Sequence, residues 1–111
     1  MAVTCAYTLA VEFEDASVAE EWLAWLRDPH LAEVLASGAQ DAELIELDTP
    51  APRRRFEVRY HFASAAAFAV YERDHAPRLR AEGLARFPTE RGIRYQRSTG
   101  AVLGSWLATT G

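Results

Sequence analysis

The three histidines, with the arginines and aromatics spaced around them, are the residues of this 111-residue chain best suited to chemistry. Glu57, Arg59 and His61 fall at every second position, so on a strand they share one face. An imidazole between a guanidinium and a carboxylate is equipped to act as a general base while the guanidinium holds an anionic substrate. These three are the catalytic candidates. On a sheet face covered only by water, the same residues would form a charge cluster with no catalytic part. A second set centres on His30 and His75, which stand close to Pro29 and Pro77. Helices lying side by side would bring both histidines to one cleft, with Trp22, Trp25, Tyr71 and Arg78 as candidate ligand-binding residues. Two tryptophans at i and i+3 are more often packing than a ligand platform. For His75 the plainer account is a core imidazole bonded to a carbonyl freed by the proline.

Other chemistries lack their residues. The histidines fall on different elements, and no HxH, HxxxH or CxxC spacing occurs, so no metal site is expected. The lone cysteine, Cys5, falls on an apolar strand face, where a thiol is inert. Gly100 and Gly104 lack the lysine and helix start of a phosphate loop and read as turn or bulge glycines in or after the last strand. Arg53, Arg54 and Arg55 form the only basic run; beside a hairpin it reads as a solvated edge that discourages strand pairing.

Half of the residues are hydrophobic and a quarter are charged, which excludes disorder. The absence of a long apolar run excludes a membrane-spanning helix. One domain is expected over residues 1–111, with 101–111 as an apolar tail. One cysteine and no apparent leader point to the cytoplasm, and no cofactor is expected. Net charge is −4, but residues 1–52 carry −10 and residues 53–111 carry +6. Halves that pack together neutralise one another, and an acidic chain without exposed aromatics among its basic residues is not expected to bind nucleic acid.

The elements that must position these residues follow from periodicity. Residues 3–13 alternate strictly and predict a half-buried strand. Asp15 or Ser17 offers an N-cap, with Glu20 completing a capping box, for a helix starting near Ser17. Pro29 predicts a break and a short second helix that stops at Gly38. Residues 41–48 and 54–63 read as a hairpin joined through Thr49-Pro50-Ala51-Pro52. Ser64 caps a second helical region with an inward stripe of Phe68, Tyr71, His75 and Leu79, interrupted by Pro77. Residues 91–98 resume alternation, and Trp106 and Leu107 in the tail would dock on a partner subunit.

The order strand, helix, strand, strand, helix, strand is an α+β, ferredoxin-like βαββαβ sandwich. It predicts a four-stranded antiparallel sheet in the order 4-1-3-2 with two broken helices on one face. Tyr7, Leu9, Val11, Ile45, Leu47, Val58, Tyr60, Ile93 and Tyr95 are expected on the covered side. Thr4, Thr8, Glu12, Leu44, Glu46, Glu57, Arg59, His61, Arg94 and Gln96 are expected on the bare one. Either water or a second subunit covers that bare face.

Glu20 to Leu26, His30, and Glu33 to Gly38, followed by Tyr60-His61-Phe62, Phe68, Tyr71, His75 to Arg80 and Phe87, together resemble a family of small bacterial proteins grouped as a domain of unknown function. The likeness spans roughly residues 5–100. That family is similar in topology to the dimeric α+β barrels, which implies a homodimer. The broader group includes cofactor-independent monooxygenases, haem-degrading enzymes, isomerases and ligand-binding domains, and fold alone does not choose among them.

Three functions therefore stand side by side: a homodimeric small-ligand-binding domain, a cofactor-independent enzyme of monooxygenase or isomerase type, and a structural or regulatory interaction module. A cavity of roughly several hundred cubic ångströms touching a histidine would favour the first two.

Overall fold

The computed structural model describes residues 4–109. Strand β1 spans Cys5–Phe13 and leads through the N-cap Asp15 into α1, Ala16–Trp25. The Asp15 carboxylate accepts a 2.7 Å bond from the Ser17 amide, so Asp15 is the cap and Ser17 lies within the helix. Glu20 takes no part in a capping box; its carboxylate faces Arg54 at 3.5 Å. After α1 the chain kinks over Leu26–His30, where Asp28 is extended ahead of Pro29. Proline lacks the amide that a regular turn needs and disfavours helical geometry in the residue before it. The chain recovers as α2, Leu31–Ala36, which ends at Gly38 with φ +125°.

Strands β2 (Asp41–Leu47) and β3 (Arg54–Phe62) form the hairpin. The Oγ of Ser64 accepts from the Ala67 amide at 3.0 Å and starts α3, Ala65–Asp74. The second helical region breaks at His75, and α4 runs from Ala76 to Arg86 with Pro77 in its first turn, where no intrahelical amide bond is required of it. A 3-10 turn, Thr89–Arg91, precedes β4, Ile93–Ala101.

The sheet is antiparallel in the order β2-β3-β1-β4. Read from the other edge, this is the expected 4-1-3-2. Alternate residues of β1 and β3 join Trp22, Leu26, Val34, Tyr71, Leu79 and Phe87 from the helical side in one buried cluster. Phe13, Trp22 and Phe56 form an aromatic triad within it, with ring centroids 5.3 to 5.8 Å apart.

One assignment is corrected. Ala42, Leu44 and Glu46 pair with Tyr60, Val58 and Phe56, whereas Ile45 and Leu47 pair with Glu57 and Arg55. Directly opposed residues share a face. Leu44 and Glu46 therefore lie on the helix side, and Ile45 and Leu47 on the bare side, the reverse of the expected register for β2. Leu44 packs against the core, and Glu46 is held at the rim by a two-bond contact with Arg54 at 2.9 and 3.0 Å. The last strand also runs further than expected, to Ala101, and includes Gly100.

Candidate functional site

Between the helix side of the sheet and the helices runs a narrow cleft enclosing about 50 Å³, partly open to solvent and well below the several hundred cubic ångströms of a preformed ligand cavity. Its floor is Tyr7 and Leu9 of β1, Tyr60 of β3, and Tyr95 and Arg97 of β4. One wall is Trp22, Trp25, Leu26 and His30; the other is Tyr71, Leu79, Arg80, Gly83 and Leu84. Strand alternation carries Arg97 to this side, because it follows Ile93 and Tyr95 at steps of two and pairs with Leu9. Arg80 arrives from α4 one position after the buried Leu79.

The α1 break shapes one wall. Because the chain changes direction at Asp28 and Pro29, His30 folds back so that its ring stacks on Trp25, with centroids 4.2 Å apart and planes at 21°. Gly83 gives the indole room on α4: a β-carbon there would lie 3.2 Å from Trp25 Cη2.

The cleft is aromatic and carries more positive than negative charge. No Asp or Glu lines it. Arg80 is ion-paired with Glu72; burial opposes its charge, but Glu72 and the Tyr7 hydroxyl more than offset this and raise its pKa. Arg97 has no carboxylate within ion-pair distance among the described residues. Its Nε donates to the Tyr7 hydroxyl at 3.1 Å, and its guanidinium lies 5.9 Å from the Tyr95 ring centroid.

Burial moves the titration of the cleft residues away from neutrality. It pushes the His30 pKa down to about 4, against a smaller opposing pull from Glu82, so at pH 7 the ring is neutral. Burial also raises Tyr60 and pushes Tyr71 and Tyr95 up to about 12. These tyrosines remain protonated and available as donors; Tyr95 donates to the Phe87 carbonyl at 2.7 Å. Two nitrogens on cleft residues are buried without a hydrogen-bond partner, His30 Nδ1 and Arg80 Nε. An unmet buried polar group costs about 1–3 kcal/mol, so a ligand that bonds to either recovers part of that cost.

Of the residues singled out from sequence, His30, Trp22, Trp25 and Tyr71 meet in this cleft. His75 does not: it sits half-buried at the α3–α4 joint, its amide bonded to the Tyr71 carbonyl at 3.0 Å. Arg78 points to Glu33 at 3.8 Å and Glu82 at 3.6 Å, tying α4 to α2 outside the cleft.

His61, Arg59 and Glu57 occupy the bare side of the sheet. Arg59 bonds to Glu57 at 2.7 and 3.1 Å, while His61 Nδ1 lies 2.7 Å from Asp41. The imidazole is thus engaged by a carboxylate of β2, not inserted between Arg59 and Glu57. On this face a shallow hollow of about 320 Å³ is bordered by Ala10, Leu47, Arg55, Arg94 and Gln96. Tyr7, Tyr60, Tyr95, Arg80 and Arg97 are the cleft residues that sequence reading passed over.

Among the described residues, no group of three or more metal-ligating side chains comes together and no helix is long and apolar enough to cross a membrane. The family model described as a domain of unknown function (DUF4286) matches residues 6–94, and the chain belongs to that family. Its fold is shared with a dimeric ferredoxin-like protein from an uncultured marine organism, at 13% identity and a TM-score of 0.70 over 94% of this chain and 99% of that one. A Streptomyces coelicolor monooxygenase solved with nanaomycin D aligns at 11% identity and a TM-score of 0.69, covering 96% of this chain and 94% of that one. HapK from Hahella chejuensis aligns at 18% identity and a TM-score of 0.65, covering 96% and 99%. At such identities the likeness is one of fold. No curated protein matches the chain.

Proposed function

We propose that this DUF4286 chain is a homodimeric domain in which each protomer binds one small organic molecule in the cleft between its sheet and its helices. The observation that carries the reading is the pair of unpartnered buried nitrogens, His30 Nδ1 and Arg80 Nε, on residues of one aromatic cleft. Buried polar groups are normally satisfied, and a ligand supplies the missing partners. Chemical-shift mapping with a mixed library of aromatic and aliphatic fragments tests this. Shifts confined to amides around Trp25, His30, Arg80 and Tyr95 are expected. A library that leaves those amides unmoved, or moves only the opposite sheet face, overturns it.

The second copy is read as covering the bare sheet face. Four carboxylates and three arginines on it come close to balance: Asp41 and Glu43 lie on β2, and Arg94 on β4 at the far edge. A two-fold axis along the strands sets the acidic edge of one copy over the basic edge of the other. Dimerisation of the marine ferredoxin-like protein supports the assembly. Residues 1–111 then form one domain whose tail reaches its partner. A cytoplasmic location is part of the same reading, supported by the lone thiol Cys5, which is buried and raised in pKa by that burial.

An enzyme of cofactor-independent monooxygenase or isomerase type is the second reading, favoured by the neutral imidazole on the cleft wall. The magnitude places it second. A base whose conjugate acid has a pKa of about 4 faces an uphill transfer of about 8 kcal/mol from an ordinary phenol. It serves more readily as a hydrogen-bond acceptor.

A further inference from the structure

Resting on the cleft-binding reading, we propose that the ligand is a flat aromatic acid bearing one negative charge, with its carboxylate on Arg97 at the cleft mouth and its ring between Trp25 and the tyrosine floor.

Charge fixes the sign and the number. Arg80 and Arg97 are the cations of the cleft, Glu72 is ion-paired with the first and borders the adjoining hollow that both arginines share, and no further carboxylate lines either space. One positive charge is left over. Arg97 is exposed and uses its Nε on Tyr7; both terminal nitrogens are free of hydrogen bonds among the described residues, the fork that fits a carboxylate. A second negative charge would meet no second free cation and would have to leave water uncompensated.

Shape follows from the walls. Trp25 and His30 present stacked rings on one side, and Tyr7 and Tyr60 lie stacked along the floor, 5.6 Å apart at 18°. A narrow slot between aromatic surfaces accepts a planar π system and resists a puckered ring of the same carbon count. His30 Nδ1, on a neutral ring and unpartnered, donates or accepts according to its tautomer and adds a partner for a hydroxyl on the ligand's far side.

Three matched probes separate these elements by calorimetric titration of the full-length protein: 2-naphthoate, the neutral 2-naphthamide and the saturated decahydro-2-naphthoate. The acid is expected to bind at least about tenfold more tightly than the amide, the gain typical of a charge-assisted pair, and more tightly than the saturated acid. Arg97→Gln should erase the preference for acid over amide while leaving amide binding in place, which also shows that the variant is folded. Equal affinity for acid and amide, or a preference that survives Arg97→Gln, overturns the anion site but leaves the cleft reading standing. Binding of the saturated acid as tightly as the aromatic one overturns the flat-ring requirement. If none of the three binds while library fragments still perturb the cleft amides, the aromatic-acid inference fails alone; if fragments fail as well, both fail.

Discussion

The imidazole of His30 lies against the indole of Trp25, ring centroids 4.2 Å apart and planes 21° from parallel, with its Nδ1 buried and without a partner. A neutral ring tolerates that position. A protonated ring would hold an uncompensated charge among aromatic side chains, which is why its pKa falls.

Stability should therefore depend on pH through this residue. The unfolded chain titrates His30 near 6.5 and the folded chain near 4, so between those values the unfolded state holds more protons. Stability contributed by the neutral ring is present above about pH 6.5 and is lost as pH falls toward 4. The separation bounds the loss at about 3 kcal/mol, and solvent at the exposed edge of the ring lowers it. Urea unfolding at pH 7 and pH 4.5 should show a smaller drop for His30→Phe than for the native chain. An identical drop in both would mean that His30 ionises freely in the folded state.

Gly83 and Trp25 should be energetically coupled. Alanine in place of a mid-helix glycine contributes about 1 kcal/mol through helix propensity, yet its methyl would lie 3.2 Å from the indole. Gly83→Ala should stabilise the Trp25→Ala background more than the native one, by at least about 0.5 kcal/mol in a double-mutant cycle. Equal gains would show that the two positions do not press on one another.

The bare sheet face is expected to be the dimer interface. Ala10 lies at its centre, opposite Glu57 and Gln96, where an arginine is tolerated in water but not beneath a second sheet. Ala10→Arg should sediment as a monomer with an unchanged circular dichroism spectrum. Cutting the chain after Val102, whose amide still bonds to the Thr4 carbonyl at 2.8 Å, removes Leu103, Trp106 and Leu107, all nearly fully exposed. That truncation should weaken the dimer by about tenfold or more, given roughly 1.5–3 kcal/mol for each large apolar side chain buried. A native-like dimer in both variants would place the interface elsewhere.

His61 should be dispensable for cleft binding. It lies on the opposite side of the sheet, 2.7 Å from Asp41, and distant substitutions with no shared partners act independently. His61→Gln should leave 2-naphthoate affinity within about twofold of the native value. A tenfold loss would return the site to the sheet's bare side.

Much of this molecule was legible as a string. A period of two in residues 5–13 and 54–62, caps at Asp15 and Ser64, and prolines at 29 and 77 were enough to order the elements, because each is a local backbone preference. Strand β2 was not legible in the same way. Leu44, Ile45 and Leu47 are all apolar, so either face fits the pattern, and only the pairing of Leu44 with Val58 decides the register. The cleft was half legible: its tryptophans and His30 drew notice as unusual residues. Arg97 carried a usable signal in its step of two from Tyr95 within the expected strand 91–98, but a charged side chain at the end of an apolar face reads as solvated until the elements above that face are placed. Composition and periodicity determine which elements form and which side of each is apolar, since those follow from neighbours along the chain. Which titratable groups face one another depends on where elements end and how they pack. That placed His30 beside Trp25, left Arg97 without a carboxylate, and sent His61 to the other side of the sheet.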